Sequence, residues 1–207
     1  FLYSAGATNQ PIEITERWYP IMYTDCELIS DSCGDGMFRG GFGMHRSFLA
    51  TGDLTVTCLG DRNEVTPFGL AGGTNGAANI LILNEGTPEE RDLGMYTTGT
   101  VVPAGSQITF GSNGGGGYGN PLDRDPTLVL RDIRNEVLSL EKARDVYGVV
   151  IDVVDRDRLL YEVDEERTRK LREALQERTL PRGTGPGEVH PFGERLSARS
   201  LGEGPEP

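Results

Sequence analysis

The chain has 207 residues, a formal net charge of −12, and 29 glycines beside a hydrophobic fraction of 36%. This acidic balance argues against a general nucleic-acid-binding role, because phosphate binding needs clustered cations. No apolar run approaches the roughly 20 residues that a membrane-spanning helix needs, so no membrane association is expected.

The first 120 residues carry the signals of β-structure. Leu54, Val56 and Cys58 alternate with threonines, as in a half-buried strand. The other predicted strands are 18–28, which Pro20 interrupts, 79–83 and 106–110. Glycine-rich turns at 34–43, 69–76 and 111–119 separate them, since glycine adopts positive φ without a steric penalty.

Helical spacing begins at Asp125, which can cap a helix that starts at Pro126. A second helix is predicted over 139–147, and the apolar run 149–154 predicts a buried strand. Asp164 then caps a charged helix with one thin apolar stripe, formed by Leu171 and Leu175.

The predicted fold class is therefore α+β and mainly β, with a glycine-rich β body, short C-terminal helices and a polar tail. Residues 1–155 are expected to form the β body with two short helices. Residues 156–180 would form a peripheral helix. The segment 181–207 is rich in Pro, Gly, Glu and Arg and is expected to be a flexible arm.

Few residues could carry chemistry. Asp31 and Arg39 flank the first glycine turn and could form an ion pair that holds it, with a role at an active-site edge as the alternative. His45 follows that turn, and a metal site there would have to recruit aspartates around one imidazole. Cys33 lies in the turn, where an exposed thiolate would need His45 as its base. The second histidine, His190, lies in the polar arm.

The segment 114–119 matches the glycine pattern of a dinucleotide-binding loop and follows a predicted strand. Asn120 and Pro121 come next, however, so no helix starts where a pyrophosphate would need one. A tight loop packed against another chain is the preferred interpretation. The three cysteines lack metal-type spacing and would leave one unpaired if two formed a bridge, which favours a reducing compartment and predicts a cytoplasmic location.

Several motifs, taken together, resemble the hydantoinase B family. Their order and spacing extend over about 140 residues, and the set is more specific than any one motif. In chain order they occupy residues 9–16, Pro20, 31–43, 67–73, 114–122 with 124–126, and 143–149. The family includes B subunits of ATP-dependent hydantoinases and caprolactamases, the C-terminal part of 5-oxoprolinases, and components of acetone and acetophenone carboxylases.

The resemblance implies a C-terminal part or small subunit of an ATP-dependent cyclic amidohydrolase, inactive alone. In such a complex ATP is bound by a hydantoinase A-like subunit, which phosphorylates the substrate oxygen, and the B subunit with a divalent metal completes hydrolysis. The expected partners are the N-terminal part of the B subunit and that A-like subunit, in a hetero-oligomer. ATP and metal belong to the whole assembly, and this chain alone is expected to bind neither.

Two alternatives stay open at this point. The motifs are shared with the ketone carboxylase branch, in which an enolate captures activated bicarbonate. Glycine turns with few ionisable side chains also fit a non-catalytic scaffold that holds two subunits together. The candidate site residues are Asp31, Arg39 and His45, without an assigned role.

Overall fold

The computed structural model describes residues 10–156 and 158–179. The helices are α1 (Ile12–Trp18), α2 (Pro126–Arg134), α3 (Leu140–Asp145) and α4 (Glu165–Thr179), with a 3-10 turn at Pro121–Asp123. The strands are β1 (Ile21–Leu28), β2 (Met44–Ala50), β3 (Leu54–Leu59), β4 (Ile80–Leu83), β5 (Arg91–Asp92), β6 (Tyr96–Val102), β7 (Gln107–Gly111), β8 (Ile151–Asp155) and β9 (Leu160–Val163). The predicted α+β, mainly β class is confirmed.

All strand pairs in the three sheets are antiparallel. One sheet has five strands in the order β1-β2-β7-β4-β5, whereas β3 pairs with β6 and β8 pairs with β9. Strand β3 packs the side chains of Leu54, Val56 and Cys58 against a core that includes β2, β4, β6 and β7. The predicted alternation is therefore correct, because one face of β3 is covered and the other is open to solvent.

A second core joins the helices to the β8–β9 pair. Its buried members include Val129 and Ile133 of α2, Ala143 of α3, Tyr147, and Tyr161 of β9. Helix α2 begins where the sequence predicts, because the Asp125 carboxylate accepts a hydrogen bond from the Thr127 amide. Ser139 caps α3 and Asp164 caps the first turn of α4 in the same way.

Two segments differ from their prediction. Of the stretch predicted as a strand over 18–28, residues 21–28 form strand β1, but Trp18 is the last residue of helix α1 and Pro20 lies between the two elements. Tyr19 is extended, as a residue before proline tends to be, and this ends the helix. The run 149–154 is not a buried strand: Val149 is buried, but Val153 and Val154 of β8 are exposed.

The segment predicted as a peripheral helix, 156–180, carries β9 as well as α4, and β9 pairs with β8 across the proposed boundary at 155. The domain division stays a prediction. The arm at 181–207 and His190 lie outside the described residues. None of the helices in the described part of the chain has the length and apolar content that crossing a membrane requires.

Candidate functional site

The three glycine turns pack against one another and form a single unit, here called the glycine cluster (residues 34–43, 69–76 and 111–119). Backbone hydrogen bonds join them: Gly34 donates to the Gly115 carbonyl at 2.7 Å, and Gly117 donates to the Thr74 carbonyl at 3.0 Å. A Cβ atom at Gly114 would lie 1.8 Å from the Ser32 carbonyl oxygen. Only glycine lets backbones approach this closely. The contacts that the structure shows for these turns are within one chain, and packing of the segment 114–119 against another chain stays a prediction.

The segment 114–119 is not arranged as a dinucleotide-binding loop. The amides of Gly114, Gly115 and Gly117 all donate to carbonyl oxygens of this chain. A 3-10 turn follows at Pro121–Asp123, and the next α-helix begins only at Pro126. Most amides of the loop are therefore already paired, and no helix N-terminus of the described residues faces the place where a pyrophosphate would bind.

A buried aspartate on α2 holds the first glycine turn. The Asp132 carboxylate accepts two hydrogen bonds from the Arg39 guanidinium, at 2.8 and 3.1 Å, and one from Arg124 at 2.9 Å. The hydrogen bond to Asp132 is the main cause of the raised pKa of Arg39. Asp132 is 1% exposed, so this pairing lies where solvent screens it little.

The predicted ion pair between Asp31 and Arg39 does not form, because Arg39 pairs with Asp132 instead. Asp31 has a different structural contact: its carboxylate accepts a hydrogen bond from the Ser139 amide at 2.9 Å. Its backbone carbonyl accepts another from the Lys142 ammonium. Asp31 therefore ties the first glycine turn to the N-terminus of α3.

A second buried carboxylate, Asp35, lies within the glycine cluster itself. Lys142 forms an ion pair with it at 3.1 Å, the Tyr147 hydroxyl donates to it at 2.8 Å, and the Thr74 hydroxyl donates at 3.1 Å. Burial, followed by the charge of Asp35, raises the pKa of Tyr147, so the phenol stays protonated and acts as a donor. These contacts fasten the cluster to α3 and the segment after it.

Cys33 is buried, which excludes the exposed thiolate that a nucleophilic role would need. Its side chain is 2% exposed, and burial raises the pKa of the thiol to about 11. At neutral pH the group is therefore a protonated thiol without access to substrate. It packs as a small apolar residue rather than acting as a nucleophile.

We expect a thiol-alkylating reagent at pH 8 to modify the exposed Cys26 and to leave Cys33 unmodified in the folded chain. Peptide mass spectrometry measures both sites in one sample. Unfolding in urea should remove the difference, because both thiols are then accessible to the reagent. Fast alkylation of Cys33 in the folded chain would contradict its burial.

His45 lies on β2 at the wall of an open groove of about 730 Å³. Its Nε2 is 3.2 Å from the Ser47 hydroxyl and its Nδ1 is 4.0 Å from the Glu27 carboxylate. This order of groups is that of a hydrolase triad, but Ser47 is buried and also hydrogen-bonds Thr109 at 3.1 Å. Ser47 therefore cannot reach a substrate carbonyl. His45 remains a partly exposed residue at a groove edge.

The described residues do not provide a metal site: none of their His, Cys, Asp and Glu side chains form a group of three suited to bind an ion. The aspartates near His45 in sequence have other contacts: Asp31 and Asp35 hold the glycine cluster, and Asp53 accepts a hydrogen bond from the Ala104 amide. The residues that carry the cluster, Asp132, Lys142 and Tyr147, were missed by sequence reasoning. Nothing near them in sequence signals a partner about a hundred residues away.

Comparison with known proteins gives consistent results. A sequence model of the family described as hydantoinase B/oxoprolinase matches residues 2–121. The chain is 36% identical over 171 residues to the B subunit of a putative D-/L-hydantoinase of Pseudomonas sp. (strain NS671), covering 81% of this chain and 28% of that protein. It is 30% identical over 202 residues to the acetophenone carboxylase delta subunit of Aromatoleum aromaticum, covering 83% and 29%.

A solved structure is similar as well. The crystal structure of the ATP-dependent caprolactamase from Pseudomonas jessenii superposes with a TM-score of 0.66 at 28% identity, covering 80% of this chain and 28% of that one. The chain thus spans less than a third of the length of each of these proteins.

Proposed function

Because the chain belongs to the hydantoinase B/oxoprolinase family, we propose that it is the C-terminal part of the B-type subunit of a complex that opens a cyclic amide with consumption of ATP. The substrate class is a hydantoin, 5-oxoproline or lactam. The proposed partners are the rest of the B-type subunit and an A-type ATP-binding subunit, in a cytoplasmic hetero-oligomer. Divalent metal and ATP are assigned to those other parts of the complex.

One observation carries the choice of reaction. Identity to the hydantoinase subunit is 36%, against 30% to the carboxylase subunit, over comparable shares of this chain. The hydrolase branch therefore comes first. Ketone carboxylation is the second candidate, because the match to a carboxylase component covers 83% of the chain.

The site geometry supports a structural role for this chain in that activity. Two of the candidate site residues, Arg39 and Asp31, use their charged groups in contacts that hold the glycine cluster. A cluster held by buried ion pairs and by close contacts between glycine backbones is a rigid support. His45, whose side chain is 24% exposed, lies at the groove edge, and its side-chain contacts with Ser47 and Glu27 are outside the glycine cluster.

The assay uses the complete complex that contains this chain, supplied with ATP and a divalent metal. We expect ATP-dependent opening of a hydantoin, 5-oxoproline or lactam, detected as the ring-opened acid by mass spectrometry, together with ADP formation. Omission of ATP should abolish it, because an unstrained amide is resonance-stabilised and resists hydrolysis.

A parallel reaction with acetone or acetophenone and labelled bicarbonate is the control for the carboxylase branch. We expect no bicarbonate-dependent ATP turnover in it. Label fixed onto a ketone, with no cyclic amide opened, would contradict the proposed reaction and favour the second candidate.

A further inference from the structure

Three large apolar side chains lie side by side on the surface of the glycine cluster. Tyr118 forms an antiparallel bridge with Phe38 and a parallel bridge with Leu70. Bridged residues on neighbouring strands direct their side chains to the same face, and the Phe38 and Tyr118 rings are 6.5 Å apart. We call these three residues the apolar row.

The apolar row does not contribute to the hydrophobic cores of the described residues. Phe38, Leu70 and Tyr118 are 60%, 56% and 54% exposed, and none belongs to either hydrophobic core. Adjacent apolar side chains at such exposure are typical of a contact surface, whereas single ones need no explanation.

The backbone that carries the row is firmly held. Phe38 and Tyr118 exchange both amide–carbonyl hydrogen bonds, at 3.0 and 2.8 Å, while Leu70 donates to Gly117 and accepts from Gly119, both at 2.9 Å. The side chains therefore stand on a surface that is ordered before any partner arrives. Binding to such a surface loses little further backbone entropy.

We propose that the apolar row is the contact surface for the rest of a B-type subunit, through an apolar segment of that part. This inference rests on the proposed function, in that the chain is taken to be part of such a subunit. The chain spans 28% of the length of the related hydantoinase protein, so a body more than twice its size accompanies the matching segment in that relative. The family match over residues 2–121 includes all three members of the row.

The composition of the row fits this occupant better than a small polar ligand. Its three members carry no charge, so the complementary surface is apolar. A neighbour in the same subunit is present at high effective concentration, whereas a second copy of the chain must be recruited from solution. A row of only three residues suffices for the first kind of contact and is small for the second.

The test measures binding of this chain to a defined probe. The probe is the Pseudomonas sp. hydantoinase relative without the 171 residues that match this chain, produced as a separate polypeptide. The row variant carries Leu70→Ser and Tyr118→Ser. We expect it to bind the probe at least about tenfold more weakly than the unaltered chain, as truncated apolar anchors do.

The matched control variant carries Leu59→Ser and Tyr96→Ser. These residues are also a bridged Leu–Tyr pair, on β3 and β6, and are 77% and 74% exposed. We expect the control to bind like the unaltered chain. Equal weakening by both pairs, unchanged binding by the row variant, or no binding by the unaltered chain would each overturn the proposal.

A second readout needs no substitution and remains available if the row variant does not fold. Nitration of Tyr118 in the unaltered chain should fall when the probe is bound, with nitration of Tyr96 unchanged. Sedimentation of the chain alone tests the competing occupant: self-association that the row variant abolishes would assign the row to a second copy and overturn the proposal.

The outcome can be separated from that of the proposed function. A complex that opens a cyclic amide but binds its parts independently of the row contradicts only this inference. A complex that carboxylates a ketone, yet loses assembly when Leu70 and Tyr118 are replaced, contradicts only the reaction.

Discussion

Replacing Gly40 by alanine is expected to lower the free energy of unfolding by about 3 kcal/mol. A Cβ atom at Gly40 would lie 2.0 Å from the Gly115 carbonyl oxygen and 2.4 Å from its carbonyl carbon. Both are backbone atoms, which cannot rotate away as a side chain can. The first and third glycine turns would have to separate, which would also strain the Gly115–Gly41 hydrogen bond. Urea unfolding followed by far-UV circular dichroism measures the change.

The neighbouring residue provides the control. Gly41→Ala places its Cβ where no heavy atom lies within 4 Å, and the backbone there is not in the left-handed region. We expect a change of less than about 0.5 kcal/mol, as for an exposed substitution away from special features. If Gly40→Ala and Gly41→Ala are equally tolerated, the close packing of the glycine turns is wrong.

Replacing Asp132 by alanine is expected to cost about 3–5 kcal/mol, because one change leaves two guanidinium groups without their carboxylate. Arg124 is buried, and Arg39 is mostly so. The structure gives each arginine one further hydrogen-bond acceptor on its guanidinium, the Met37 carbonyl for Arg124 and the Gly40 carbonyl for Arg39. The same urea titration measures the loss, which should persist at high salt because screening is weak in a buried site.

Asp145→Ala is the matched control, since Asp145 is an exposed helical aspartate on α3. We expect it to be nearly neutral. Arg39→Ala should fall between the two, at about 1–3 kcal/mol, because Asp132 keeps Arg124 as its partner. An Asp132 variant as stable as the Asp145 variant would show that the buried pairs do not hold the cluster.

Local patterns predicted much of the secondary structure. The start of α2 follows from Asp125, which accepts a hydrogen bond from the Thr127 amide, and from Pro126, whose fixed φ suits the first helical position. The alternation in β3 follows from one covered face. The short helix α1 was missed because it has no buried residues, so it shows no apolar periodicity.

The candidate site was predicted only in part. The sequence singled out Arg39 as a residue that holds the first glycine turn, and it does so, but with a partner 93 residues away rather than with Asp31. The bond between Tyr147 and Asp35 spans 112 residues. Sequence spacing carries no information about such pairs, because the charges meet only after the helices pack on the glycine turns.

The sequence by itself determined the family, the mainly β class, the positions of helices α2, α3 and α4 and of strands β3, β4 and β7, and the concentration of glycine in three turns. These follow from motif order and from interactions within a few residues. The tertiary structure decided that the three turns pack on one another, that their charged residues are buried in ion pairs, and that Phe38, Leu70 and Tyr118 meet on one exposed face. Those features depend on contacts between segments far apart in the chain, which only the folded backbone brings together.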